Sequence, residues 1–310
     1  MTEPQVALKD QWEVSGLNEG GLPVAREREK QGLYWYLVLT FGLVWLMEGW
    51  LWTQGGLRHP SAQLVLMAVM LVPAVSAAVV RQFVTREGFS DAGLRLGKKR
   101  YYLWAWLLPL ILASIAGALT VALGQARYDP TMSEFIATLK TQSPAVQVPA
   151  PEVLLPMMLV QGMTVNVLIT AVFAFGEEFG WRGYLLMKLL PLGRIRALVV
   201  SGVIWGLWHA PVILMGYNYP TQPVWGVLLM TVFCTWFAAI FGWLRLASGS
   251  VFTATLAHAA LNSGALTPLT LLAGVDTAIG GPLGVIGWIP LGAFVLWLHF
   301  TGRLYDTAAD

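Results

Sequence analysis

The sequence predicts an all-α protein, a polytopic bundle of about eight transmembrane helices with both termini cytoplasmic. Composition, the spacing of apolar stretches and the placement of basic residues each point there. Of 310 residues, 56% are hydrophobic and only 12% are charged, and the mean hydropathy is +0.63. A soluble domain carries about 25% charged residues and must keep its exterior wet. The composition therefore excludes disorder, a nucleic-acid-binding module and a secreted disulfide scaffold. The single cysteine, Cys234, has no partner within the chain.

A membrane span needs about 20 mostly apolar residues to cross a hydrocarbon core roughly 30 Å thick. Eight stretches qualify, near 34–52, 62–82, 102–123, 153–176, 197–216, 223–244, 251–273 and 281–300. Backbone polar groups must be satisfied within each span, so the stretches read as helices. Tyr34, Trp35, Trp50, Trp52, Tyr101 and Trp104 cluster at span ends as an aromatic belt does. Fifteen of the 19 lysines and arginines fall on the side of the termini. The opposite connections hold only Arg58, Arg127 and Lys140, a bias that places both termini in the cytoplasm. Arg81 reads as lying at the membrane edge, and Arg182 alone sits inside a hydrophobic stretch.

Residues 1–32 read as a polar cytoplasmic tail and 33–303 as one transmembrane domain. In the longest outer connection, 124–152, Asp129-Pro130 signals a helix start. The spacing of Met132, Phe135, Ile136 and Leu139 then predicts a short helix, lying on the membrane surface or packed under the loop.

Ionisable groups within spans are costly and are functional candidates by default. Glu48, near the outer end of the first span, reads as an interfacial or helix-packing residue, and His59 and His299 read as interfacial rather than catalytic. Ser201 and Ser263 read as packing residues. Three clusters differ: Glu177-Glu178-x-x-x-Arg182, Trp205-x-x-x-His209 and His258-x-x-x-Asn262. Residues at i and i+4 share a helix face, so Glu178 is paired with Arg182. Glu177, turned about 100° away, is left to face a cavity. Counted along their helices, the clusters lie at similar depths.

Such a set can hydrolyse an amide. Glu177 acts as general base on water with help from His209. His258 and Asn262 present donors to the oxyanion. Zinc held by Glu177, His209 and His258, with an open position for water, is the alternative use of the same groups. The metal-free version is favoured because Asn262 is a natural oxyanion donor and a poor zinc ligand.

The same residues resemble the CAAX prenyl protease and bacteriocin-processing (CPBP, or Abi) intramembrane proteases. Their pattern is Glu-Glu-x-x-x-Arg, then an aromatic residue four before a His, then His-x-x-x-Asn or Asp. Trp205 stands where that family usually has Phe. The flanks of Arg182, the stretch from Gly206 to Pro211 and the stretch from Gly242 to Ser250 also look alike, so the likeness spans about 170–265. It implies an eight-helix intramembrane endopeptidase, with or without metal, whose site opens toward the cytoplasmic side. Glu177, His209, His258 and Asn262 are then catalytic, and Glu178, Arg182 and Trp205 supporting. The implied substrate is a membrane-anchored protein or peptide. In members that process prenylated proteins, the last three residues of a CAAX tail are removed. The expected location is the plasma (inner) membrane if the chain is prokaryotic. A non-catalytic membrane partner, such as an immunity or scaffold protein, and an ion-coupled transporter are the competing functions.

Overall fold

The computed structural model describes residues 21–308; most of the expected tail, 1–20, lies outside them. The described residues are mostly helical, in an integral membrane protein. The first helix, α1 (Gly21–Thr53), begins within the stretch expected to be tail, so the polar lead-in is partly helical rather than a free segment. There follow α2 (Ala62–Val69), α3 (Val72–Val79), α4 (Arg100–Ala122), α5 (Ser133–Gln142), α6 (Pro151–Met163) and α7 (Val165–Gly180). Next come α8 (Leu186–Leu189), α9 (Arg194–Trp208), α10 (Ala210–Leu214), α11 (Pro223–Ser248), α12 (Val251–Ser263) and α13 (Trp288–Phe300). A two-residue antiparallel pair, β1 (Arg127–Tyr128) and β2 (Leu272–Ala273), is a small departure from the all-α expectation.

Among the described residues four helical runs are long and apolar enough to cross a membrane, Glu27–Thr53, Ala62–Thr85 (α2 and α3 together with the turn after them), Arg100–Ala122 and Pro223–Ser248, or five if the bent pair Pro151–Met163 and Val165–Leu192 counts as one span. The remaining stretches are interrupted. The 197–216 stretch breaks at His209, because Pro211 has no N–H to continue the helical ladder. The 251–273 stretch stays helical for only 13 residues, about 20 Å at 1.5 Å per residue. Its apolar remainder folds as short turns. Irregular backbone at that depth is tolerated where protein buries it. Large apolar side chains such as Leu46, Phe83, Leu168 and Phe300 face outward, as in a molecule whose solvent is lipid.

Helix connections gather at two ends. At the terminal end the backbone N–H of Lys98 donates to Ser248 O (2.9 Å) and that of Val251 to Gly93 O (2.9 Å). There too the Lys98 ammonium donates to Thr307 O, and Arg194 donates to Leu304 O and Asp306 O. Arg81 belongs to this end, yet it is buried rather than at a membrane edge. Its guanidinium pairs with Asp91 (2.8 Å), donates to Gly183 O (3.1 Å) and lies over the Tyr184 ring. At the far end β1 pairs with β2, Gly281 N–H donates to Thr120 Oγ1 (2.9 Å), and Tyr219 O–H donates to Leu283 O (2.8 Å). The expected outer helix is α5, started by Asp129, whose carboxylate accepts from the amide and hydroxyl of both Ser133 and Thr131. Those bonds hold the Asp129 carboxyl down at about 2, Ser133 contributing most.

The most enclosed of the long helices is α11, which packs along α9. Two glycines set that contact. A β-carbon on Gly202 would lie 2.5 Å from Thr235 Cα, and one on Gly206 would lie 2.3 Å from Thr231 Cα. Gly202 and Gly206 are four residues apart, on one face, the small-residue spacing that lets membrane helices approach closely. The approach carries Trp205 and His209 to the inner side of α11. On the other side α12 packs against α7 and α4, and α7 packs against α3.

Gly206→Ala is expected to force α9 off α11 and cost about 1–3 kcal/mol, as overpacking does. The check is the thermal unfolding midpoint of purified protein against Gly42→Ala, whose added carbon meets nothing within 4 Å. Equal midpoints would show that the helices have room to spare.

Candidate active site

The structure gathers the three motifs around one cavity of about 450 Å³. Glu177, near the end of α7, lines it together with Trp205, His209, His258 and Asn262. The lining combines polar groups from α1, α7, α9, α12 and the α10–α11 connection with an apolar wall that includes Phe173, Met230 and Phe233.

The two adjacent glutamates have different partners. Glu178 Oε1 accepts from Arg182 Nη1 at 2.8 Å and from His258 Nδ1 at 2.8 Å, with all three side chains buried. Taking such a pair out of water costs several kcal/mol per ion, which only close geometry and further bonds offset. Here the Arg182 guanidinium also lies over the rings of Trp205 (4.4 Å to the centroid) and Phe241 (5.2 Å). A desolvated cation–π contact contributes about 2 kcal/mol. Phe241 stacks on His258 in turn, centroids 5.7 Å apart. Arg182, Glu178 and His258 therefore form one buried unit clamped by aromatic rings.

Glu177 has no cationic partner at hydrogen-bond distance. Its Oε2 accepts from Trp205 Nε1 at 2.8 Å and from Trp181 Nε1 at 3.3 Å. Trp205 thus supplies an N–H that Phe, usual at this place in the resembled family, lacks. Trp181 is four residues after Glu177, so its contact was readable from the i, i+4 rule. What spacing did not show is the wide turn Trp181–Leu185 that follows α7. Such turns insert into helices frequently at functional sites.

The histidines are oriented through Nδ1. His209, the capping residue between α9 and α10, places Nδ1 2.9 Å from Trp205 O. A carbonyl only accepts, so this nitrogen carries the proton, and in the neutral ring Nε2 keeps the lone pair. The same reasoning applies to His258, whose Nδ1 faces a carboxylate. Asn262 lines the cavity one turn beyond His258 and is exposed. Cys234 is buried beside the site, its Sγ 3.9 Å from His209 Nδ1.

Two further residues take shape here. Glu48, expected to be an interfacial or helix-packing residue, is buried and lines the same cavity from α1. Its intramembrane position was the signal, and its neighbour Trp50 suggested a shallower setting. Ser263 makes a bond within its own helix, to Ala259 O, in keeping with a packing residue. Among the described residues no three His, Cys, Asp or Glu side chains group closely enough to hold a metal ion. The conditional zinc set Glu177, His209 and His258 does not fit as a ligand cage.

The cavity lies in the half of the bundle away from the terminal end. Apart from Met70 and His209, which sit at breaks within spans, the lining residues outside helices, Tyr217, Asn218, Leu266 and Leu283, belong to far-end connections, and Gln63 is in the first turn of α2 at that end. The resemblance had implied a site open on the side of the termini.

Arg182→Lys is expected to keep the charge but lose the flat stack on Trp205 and Phe241. The destabilisation should be about 1–2 kcal/mol, read as a lower unfolding midpoint. A midpoint matching the unsubstituted protein would remove the aromatic clamp from this account.

No curated protein matches the chain in a sequence comparison. Residues 157–264 match the family described as Type II CAAX prenyl endopeptidase Rce1-like. That stretch contains Glu177, Glu178, Arg182, Trp205, His209, His258 and Asn262, so the part of the chain that carries the three motifs is similar to that family.

Proposed function

We propose that this protein is an intramembrane endopeptidase in which Glu177 and His209 activate water. The observation that carries the reading is the meeting of Glu177, His209, His258 and Asn262 at one cavity. With Glu177 Oε2 occupied by two indole N–H groups, Oε1 is the oxygen that takes a proton from water. His209 Nε2, an acceptor in the neutral ring, holds the second hydrogen of that water. The water oxygen adds to the scissile carbonyl carbon as its proton passes to Glu177.

The carbonyl oxygen then carries negative charge. The Asn262 amide donates to it, and His258 donates from Nε2 as the imidazolium. Glu178 balances that charge at Nδ1. Collapse of the tetrahedral intermediate breaks the C–N bond, and the proton held by Glu177 goes to the departing amine. Glu178, Arg182 and Trp205 support the reacting groups without touching the substrate. The family supports a CAAX-type endopeptidase acting on membrane-associated substrates. The assignment of these residues to these steps is our reading.

We further read eight passages with both termini cytoplasmic. The fifteen basic residues on the side of the termini support this. So do the connections, which alternate between the two ends.

Glu177→Gln is expected to fold and to lose cleavage of a membrane-tethered peptide by about 10²–10⁴-fold, the usual contribution of a positioned base. Trp205→Phe, which keeps the ring and removes the N–H, should retain the fold and lose about tenfold. Purified protein in liposomes, followed by mass spectrometry of the peptide, gives both numbers. Unchanged cleavage by Glu177→Gln would exclude the mechanism.

A further inference from the structure

A second concavity, of about 490 Å³, lies on the outer surface of the bundle. Its walls are Tyr102, Leu103 and Trp106 of α4, residues on both sides of the α6–α7 break, and Leu256 of α12. The break gives the groove its shape. α6 ends at Met163, where a β-carbon on Gly162 would lie 2.8 Å from Gly264 Cα, so the two backbones touch. Met163 O accepts from Trp106 Nε1 at 2.7 Å, which ties α4 across the break. The Thr164 hydroxyl donates to Val160 O within α6. With these groups satisfied the groove is apolar, and no charged side chain lines it. Leu103 and Leu168 are 61% and 72% exposed, so it opens outward toward lipid. It is separate from the candidate active site. Leu256 and His258 are two residues apart, about 200° around α12, so one face of that helix meets the groove and the other the cavity.

Charge lies at one end of this groove. α4 starts at the terminal end, immediately after Lys98 and Lys99, with Arg100. Lys99 is three residues before Tyr102 and four before Leu103, and Arg100 is three before Leu103, which puts both on the groove side of α4. Lys98 is committed to Thr307 O. The acidic residues of the connection into α4, Glu87 and Asp91, pair with Arg81 and Lys188. The first turn of α4 holds no acidic residue. Lys99 and Arg100 are exposed, and among the described residues neither forms an ion pair. An uncharged groove that ends at two unmatched cations fits a molecule with an apolar chain and an anionic head. A soluble anion would leave the groove unfilled, and a neutral lipid would leave the cations unmatched.

We propose that this groove binds an anionic phospholipid from the leaflet on the side of the termini. One acyl chain lies between α4, α7 and α12, and the phosphate pairs with Lys99 and Arg100, as basic residues at a membrane surface do. Tyr102 and Trp106 stand along the chain at the depth where amphipathic rings gather. The bound chain braces α7 against α12, the helices that Glu178 and His258 join.

The test is native mass spectrometry of the full-length protein, titrated with phosphatidylglycerol and with phosphatidylcholine of identical acyl chains. Phosphatidylglycerol is expected to bind more tightly by about fivefold or more, the attraction of at least one basic residue. The double variant Lys99→Gln, Arg100→Gln should bind the two lipids equally, while Lys140→Gln, at the far end, keeps the preference. Leu168→Trp, which fills the groove from its lipid-facing wall, should weaken both lipids. Excess inorganic phosphate should displace neither. Equal binding of the two lipids by the unsubstituted protein, or a preference that survives the double variant, would overturn the proposal. So would loss of the preference in Lys140→Gln, which would trace it to net charge. Undiminished binding to Leu168→Trp, or displacement by phosphate, would overturn the placement of the chain.

Discussion

The buried contact of Arg182 with Glu178 is the constraint on which the rest of the site depends. An arginine inside a membrane protein must be neutralised nearby, and Glu178 does so from one turn away at 2.8 Å. Once that carboxylate is committed, its second bond fixes His258, and with it the position of α12 against α7. The guanidinium plane fixes Trp205 and Phe241, which come from α9 and α11. One ion pair therefore indexes four helices. The indole N–H of Trp205 then reaches Glu177, so the two adjacent carboxylates are coupled through an aromatic side chain.

Separation of roles between neighbouring glutamates follows from helical geometry and needs no special environment. Residues 177 and 178 point about 100° apart. One direction meets Arg182 and His258, and the other meets the cavity. The histidines are treated alike. Each commits Nδ1 to an oxygen of the protein, one a backbone carbonyl and one a carboxylate, so in each the nitrogen left for the cavity is Nε2. In the proposed mechanism that leaves Glu177 and His209 to hold one water between them.

Much of this was legible in the sequence. Apolar composition and the distribution of lysine and arginine announce a helical membrane protein, because lipid leaves few other options. The i, i+4 spacings of Glu178 with Arg182 and of His258 with Asn262 placed each pair on a common helix face. Helix breaks were harder to see: hydropathy counts apolar residues and is blind to Pro211 ending α9 at His209, or to the close approach of Gly162 and Gly264 beside the end of α12. Hence eight equal stretches became four long helices and several short ones. The Gly202 and Gly206 spacing was present in the sequence and explains the α9–α11 contact. Glu48 was read as interfacial or helix-packing, and its burial beside the cavity could not be told from its own stretch because the other lining residues come from helices far away in the chain. Arg81 was placed at an edge although it is buried: besides nearby Asp91 it reaches Gly183 O, 102 residues distant, which its own stretch does not show.

The central claim is that Glu178 holds the site together while Glu177 is held ready for chemistry. Thermal unfolding of Glu177→Gln and Glu178→Gln, measured side by side in the same detergent, tests it most directly. Removing one partner of a buried pair costs about 3–5 kcal/mol, which lowers the midpoint by roughly 6–15 °C in a protein of this size. The account predicts that fall for Glu178→Gln and a midpoint close to the unsubstituted protein for Glu177→Gln. Equal midpoints for the two variants, or a larger fall for Glu177→Gln, would contradict it.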